Sequence, residues 1–179
     1  MVNFKEDEEL HILNHSCAHL MAQAVKHLYP QAKFWVGPVV DEGFYYDMDL
    51  GDAVLNDEDI AAIEKEMKKV AKTGVKIYRR EISKAEAIEM FGDDPYKLDL
   101  ISNMQDGTIT CYDQGDFTDL CRGPHVANSQ ELMNAAFRIK SVSGAYWRGD
   151  EHRDQLQRIY VYAFENKNDL KEHLKFIKE

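Results

Sequence analysis

The chain has 179 residues, 44% of them hydrophobic, which suffices for a folded core in one domain or in two closely fused lobes at about 1–80 and 81–164. Its formal net charge of −10 argues, taken alone, against a nucleic-acid groove, which needs lysine and arginine against phosphate. No apolar run reaches the length of about 18 residues that a membrane span requires, and the acidic start of the chain is unlike a secretory signal. Three cysteines, an odd count, favour free thiols in a reducing cytoplasm.

Residues 6–28 are predicted to form an amphipathic helix. Its apolar stripe consists of Leu10, Leu13, Cys17, Leu20, Met21, Ala24, Val25 and Leu28. His15 and His19 are four residues apart, so they share a face, which lies nearly opposite the centre of that stripe. The neighbours on that side are Ser16, Ala18 and Ala22, and their small side chains leave room for a ligand.

The rest of the chain is predicted to alternate between strands and helices. Strands are expected at 33–40, 44–50, 75–82, 108–112, 136–147 and 156–164. Helices are expected over 57–73 behind an Asn56 cap, behind a Ser83–Glu86 capping box, from Pro95 onward, and behind Asn168. The last helix meets no stop signal before Glu179, which indicates a chain cut from something longer.

A second pair of potential ligands, Cys121 and His125, lies in the segment 118–126, where Gly123 and Pro124 indicate a loop. Either pair alone is a weak signal, since Cys121, for example, could simply be a small buried apolar residue. Because both pairs occur in one chain and neither lies on an apolar stripe, we expect them to meet in one site.

Three chemistries fit these residue types, and the residues alone do not choose among them. In the first, zinc activates a water, and its ligands are His15, His19, Cys121 and His125. In the second, the histidines position a water without a metal and take its proton. In the third, Cys121 is a nucleophile, and Arg122 helps to ionise its thiol. A structural zinc module without catalysis is the alternative from another class.

Several other polar residues have a simpler interpretation. Asp119 could orient a histidine or bind an amine, or could only cap its loop, and Lys97 is by default a solvated lysine. The two other cysteines, Cys17 and Cys111, are expected to be structural. Surface positions are expected for His11, His27, His152 and His173. The basic run over residues 65–80 is expected to be a solvated helix face, with a phosphate-facing strip as the alternative.

Five segments, in order along residues 11–164, carry a family resemblance. They are His15-Ser-Cys-Ala-His19-Leu-Met-Ala-Gln-Ala-Val, Val36-Gly-Pro-Val-Val-Asp-Glu-Gly-Phe-Tyr-Tyr-Asp47, Gly115-Asp-Phe-Thr-Asp-Leu-Cys-Arg-Gly-Pro-His-Val126, Gly144-Ala-Tyr-Trp-Arg-Gly-Asp150 and Leu156-Gln-Arg-Ile-Tyr160. Together they resemble the editing domain of bacterial-type threonyl-tRNA synthetases. The first segment is also similar to alanyl-tRNA synthetase editing domains, whereas the fourth favours the threonyl branch.

The resemblance implies an α+β fold, with antiparallel or mixed sheets packed against helices, and a hydrolase that cuts the ester of seryl-tRNA(Thr). It carries the family's site residues onto His15, His19, Lys97, Asp119, Cys121 and His125. Substrate contacts are expected at Ala18, Tyr45, Tyr46, Arg122 and Gly123. The threonyl branch implies that no cofactor is required, whereas alanyl relatives hold zinc with the same four-ligand set.

The expected partners are the 3′ end of tRNA(Thr) carrying serine and the remainder of a threonyl-tRNA synthetase. The full-length enzyme is expected to be a cytoplasmic homodimer and the fragment a monomer, with no membrane partner. The family's N-terminal and aminoacylation domains are expected to be missing, so the chain should edit tRNA but not charge it.

Overall fold

The computed structural model describes residues 8–40, 43–51, 53–121, 125–133, 135–146 and 155–178. Within these ranges it contains two antiparallel sheets and five α-helices, which confirms the α+β class. No helix in the described ranges is both long enough and apolar enough to cross a membrane.

The first sheet has five strands: β1 (Lys33–Phe34), β2 (Val39–Val40), β3 (Gly43–Asp49), β7 (Ala136–Tyr146) and β8 (Gln155–Phe164). β8 is central and pairs with β3 on one side and β7 on the other, and both β1 and β2 pair with β3. The strand predicted over 33–40 is therefore interrupted. Its break contains Gly37 and Pro38, and proline has no amide hydrogen for a sheet ladder.

The second sheet has the order β4 (Ile77–Ile82), β5 (Ile109–Gln114) and β6 (Phe117–Leu120). Helices α3 (Lys84–Met90) and α4 (Pro95–Ser102) connect β4 to β5. β6 corrects the sequence prediction, which placed the segment from residue 118 onward in a loop. Gly115 has a φ of +60°, which glycine adopts without strain, and the tight turn there lets residues 117–120 pair with β5. In the predicted alternative of two lobes that meet near residue 80, the paired strands β3 and β8 would belong to different lobes.

Helix α1 (Glu8–Leu28) lies at the centre of the structure and packs against α2 (Asp57–Lys72), β3 and β8. The predicted stripe is buried except at its ends, where Leu28 is 40% exposed. The opposite side of the helix is buried as well, including Ser16 and Ala22. Val126, which follows the second sheet, contacts this side. A fully buried leucine or methionine on this helix contributes about 1.5–3 kcal/mol of hydrophobic free energy.

The helix starts follow local capping chemistry. The predicted capping boxes of Asn56 with Asp59 and of Ser83 with Glu86 are both present. Helix α5 (Lys167–Lys178) starts earlier than predicted, because the Oδ1 atom of Asn166, and not Asn168, accepts the amide hydrogen of Asp169 at 2.9 Å. Leu170 and Leu174 of α5 then pack on the outer face of the first sheet.

Candidate functional site

The two predicted ligand pairs meet. His15 and His19 project from α1, and Cys121 directly follows β6, where its backbone is held by hydrogen bonds to Thr110. The Sγ atom of Cys121 lies 3.0 Å from Nε2 of His15 and 3.0 Å from Nε2 of His125. The rings of His125 and His19 are 4.3 Å apart between centroids. The fold thus assembles these four side chains from opposite ends of a hundred-residue interval.

A buried polar cluster adjoins the histidines. Asp119 lies on β6, and its carboxylate contacts Nζ of Lys97, the hydroxyl of Tyr46 and, at 3.3 Å, Nε2 of His19. Lys97 is almost fully buried on α4, which corrects the default interpretation as a solvated lysine, whereas the family resemblance had placed it among the site residues. Its ammonium also donates to the backbone carbonyl of Trp35 at 3.0 Å and to the Tyr46 hydroxyl at 3.3 Å. Paired this way, the two buried charges are compensated.

Residues from both groups line one cavity of about 670 Å³, although His125 is not among them. Its lining includes His15, His19, Tyr46, Lys97, Asp119 and Cys121. The irregular segment 35–38 and residues from the end of α4 to β5 also line it. A volume in the range of about 300–1,000 Å³ with a few converging polar groups is typical of sites for small ligands.

Burial lowers the pKa of two histidines in the cluster, His19 and His125. Burial, followed by the nearby charges of His15 and Lys97, lowers the pKa of His19 well below its usual 6.5. Burial, followed by the nearby charges of His19 and His15, lowers the pKa of His125 to about 2. Burial and the adjacent Asp119 carboxylate raise the pKa of Tyr46 well above 10, so that its hydroxyl stays protonated. At neutral pH the imidazoles of His19 and His125 are therefore neutral and lie near the Lys97–Asp119 ion pair.

The donor set resembles a zinc site in residue type but not in spacing. His15, Cys121 and His125 each bring one ligand atom within 4.8 Å of the others. His19 is directed to Asp119 instead. A tetrahedral zinc holds sulfur at about 2.3 Å and nitrogen at about 2.0–2.1 Å, which keeps two such atoms about 3.6 Å apart. The 3.0 Å separations here are hydrogen-bond contacts, so these atoms would have to move apart to hold the ion.

Two other residues predicted for the site, Ala18 and Tyr45, lie elsewhere. Ala18 is fully buried in the core and does not reach the cavity. Tyr45 points to the other face of β3, where the guanidinium of Arg158 lies 4.1 Å from its ring centroid. Arg122 and Gly123 lie outside the described residues.

The remaining histidines and cysteines mostly match their interpretation. His27 is exposed, and His11 is half-buried with its ring 5.9 Å from that of His15. His173 corrects the prediction, since it is buried against Tyr162 and Phe164. His152 lies outside the described residues. The thiols of Cys17 and Cys111 are free and buried.

Two contributors to the site were not identified from the sequence. The backbone of Trp35 supplies an acceptor for Lys97, and Ser16 contacts His125 from α1. The glycine–proline break after Trp35 was a signal for a free carbonyl, because an interrupted strand leaves backbone groups unpaired. Ser16 had no signal beyond its place between the two histidines.

Comparison with known proteins agrees with this architecture. Residues 109–160 match the family model described as "Threonyl and Alanyl tRNA synthetase second additional domain". The chain is 52% identical over 174 residues to a Threonine--tRNA ligase of Enterococcus faecalis and 49% identical over 181 residues to one of Parabacteroides distasonis. These alignments cover 97% and 100% of this chain but 27% and 28% of the relatives. A Staphylococcus carnosus Threonine--tRNA ligase gives 52% identity, with 97% of this chain covered and 26% of that protein.

The chain therefore spans about a quarter of the length of the curated relatives that it matches. The family resemblance inferred from five motifs is confirmed over nearly the whole chain. The chain belongs to the domain type that threonyl-tRNA synthetases share with alanyl-tRNA synthetases.

Proposed function

We propose that the chain is the proofreading domain of a threonyl-tRNA synthetase. In this proposal it hydrolyses the ester of seryl-tRNA(Thr) and spares threonyl-tRNA(Thr). The observation that carries it is the convergence of His15, Cys121, Lys97 and Asp119 in one cavity, in a chain that matches Threonine--tRNA ligases. An ester hydrolase needs a positioned water, a base and a site for negative charge, and this cavity holds candidates for each.

The proposed chemistry requires no metal. A water in the cavity attacks the carbonyl carbon of the seryl ester and gives its proton to His15, which lines the cavity and is half-buried. The carbon–oxygen bond to the ribose then breaks, and the proton passes to the departing ribose oxygen. The ammonium of Lys97 favours the negative charge that develops during attack, because it is fixed in a dry environment before the reaction begins.

The need for such a site follows from the similarity of the two amino acids. Serine lacks one methyl group of threonine, and one methyl is worth only about 1–3 kcal/mol, or roughly 10–200-fold, in a binding pocket. A synthetic site therefore admits serine at an appreciable rate. A second, narrower site can instead exclude threonine by steric clash.

The proposed partners are the 3′ end of tRNA(Thr) and the rest of the synthetase, which in this proposal is a cytoplasmic homodimer. The cations of the run 65–80 lie exposed on α2, on β4 and in the connection between them. Two of them are paired, Arg80 with Asp113 and Arg79 with Glu81. We expect the isolated chain to bind tRNA weakly and in a salt-sensitive manner, since its net charge is −10.

The experiment compares deacylation of Ser-tRNA(Thr) and Thr-tRNA(Thr) by this chain, in excess over substrate, with and without a chelator. Chelator-resistant loss of serine with threonine retained is the expected result. Chelator-sensitive loss would support the zinc-dependent alternative of the alanyl type. Stoichiometric zinc whose removal unfolds the chain, without deacylation, would support a structural zinc module.

A further inference from the structure

Ser16 lies on α1 between the two site histidines and is fully buried. Its Oγ atom lies 3.0 Å from the amide nitrogen of Val126 and 3.2 Å from Nδ1 of His125. A backbone amide can only donate, so the Ser16 oxygen is the acceptor in the bond from Val126. The same hydroxyl therefore keeps its own proton available for a second bond.

In the described part of the chain, the hydroxyl of Ser16 has one hydrogen-bond acceptor for this proton, which is Nδ1 of His125. A buried hydroxyl proton without an acceptor loses its hydration and gains nothing in return. Nδ1 can accept only when it carries no proton, and a neutral imidazole then carries its proton on Nε2. Every hydrogen-bonding atom of Ser16 is satisfied in that tautomer and in no other.

We propose that Ser16 is a positioning residue that holds His125 in the tautomer protonated at Nε2. In this state His125 donates to the Sγ atom of Cys121, 3.0 Å away. Its Nε2 lone pair is then not available to a metal ion. Metal binding through Nε2 would require the proton to move to Nδ1, which would leave the Ser16 hydroxyl without an acceptor.

Ser16 thereby determines whether His125 and Cys121 form a hydrogen bond with each other or are available as metal ligands. With the hydroxyl present, the pair forms a directed hydrogen bond. Without it, His125 can adopt the tautomer protonated at Nδ1, whose Nε2 lone pair can bind a metal ion. Groups that contact the second ring nitrogen of a histidine commonly change metal affinity by about 10–100-fold. This inference goes beyond the proposed function and does not depend on the identity of the substrate.

The first test is the tautomer itself, read by NMR from two-bond nitrogen–proton correlations of histidine in ¹⁵N-labelled protein. The His125 signals are assigned by their loss in His125→Gln. We expect a protonated Nε2 in the wild-type chain and a loss of that preference in Ser16→Ala. A wild-type His125 protonated at Nδ1 would overturn the proposal, whether or not Ser16→Ala folds.

The second test is a titration of the metal-free protein with Co²⁺, a spectroscopic substitute for zinc whose absorption reports thiolate ligation. The matched control is Ser129→Ala, because Ser129 is also fully buried, accepts the amide of Val75 and donates to the carbonyl of Ala71. We expect Ser16→Ala to bind Co²⁺ at least about 10-fold more tightly than the wild type and the control. Equal affinities in all three proteins would overturn the proposal.

Discussion

The ammonium of Lys97 lies against the carboxylate of Asp119, and these side chains are only 5% and 2% exposed. The pair joins α4 to β6 directly beneath the cavity, and His19 contacts the same carboxylate from α1. Three elements that are distant in the sequence are thus tied together at the point where the chemistry is proposed to occur.

Asp119→Asn should destabilise the fold strongly, because it leaves the Lys97 ammonium buried without its counter-charge. Loss of one member of a buried pair costs about 3–5 kcal/mol, whereas replacing both members by apolar groups is often nearly neutral. Urea unfolding should therefore show a larger loss for Asp119→Asn than for the double variant Asp119→Leu with Lys97→Met.

The matched control for this cycle is the exposed pair Arg80–Asp113, whose guanidinium side chain is 46% exposed. Arg80→Gln should change the unfolding midpoint little, because solvent screens the pair. Equal losses for the buried and exposed single variants would contradict the assigned role of burial.

Tyr46→Phe should slow deacylation at least about 10-fold while the chain stays folded, since general acid–base and charge-stabilising contacts contribute factors of this size or more. The variant removes only the hydroxyl that contacts both Asp119 and Lys97. Tyr45→Phe is the control, because Tyr45 lies on the opposite face of β3 beside Arg158. Single-turnover rates that fall equally for both variants would show that the Tyr46 contact has no specific role.

His27 should contribute more to the free energy of unfolding at acidic than at alkaline pH. Burial lowers the pKa of His27, but hydrogen bonds and charges from Asp116 and Glu66 outweigh it and raise the pKa above 6.5. A raised pKa means that the folded state holds the proton more tightly than the unfolded chain. The added stability is therefore complete below about pH 6.5 and is lost as the pH rises through the folded-state pKa.

The measurement for His27 is the urea midpoint of the wild type and of His27→Gln across this pH range. The difference between the two proteins should be larger at about pH 5.5 than at about pH 8.5. A difference that stays constant with pH would mean that the contacts of His27 with Asp116 and Glu66, at 2.8 and 3.2 Å, do not depend on its charge.

Local signals predicted much of the fold. The 3.6-residue period predicted α1, and the capping residues Asn56 and Ser83 predicted the starts of α2 and α3. The position of β6 was not predictable in the same way, because four residues pair only once Gly115 has turned the chain back on β5. Asn166 and Asn168 are equally good caps in sequence, and packing of α5 on the sheet decides between them.

The site shows the same division between local and tertiary information. Spacing on one helix and within one loop indicated that His15, His19, Cys121 and His125 belong together. Lys97 looked like a solvated lysine because its partner Asp119 is 22 residues away and on another element. Ala18 looked accessible because the sequence does not show that the helix is covered on both sides.

The most direct test of the central claim is the single-turnover rate of Ser-tRNA(Thr) deacylation by His15→Ala, with His11→Ala as the control one helical turn away. His15 lines the cavity and contacts Cys121, whereas His11 is not among the residues that line the cavity. The proposed mechanism predicts a loss of about 100-fold or more for His15→Ala and a nearly unchanged rate for His11→Ala. Equal rates in His15→Ala and the wild type would contradict the mechanism.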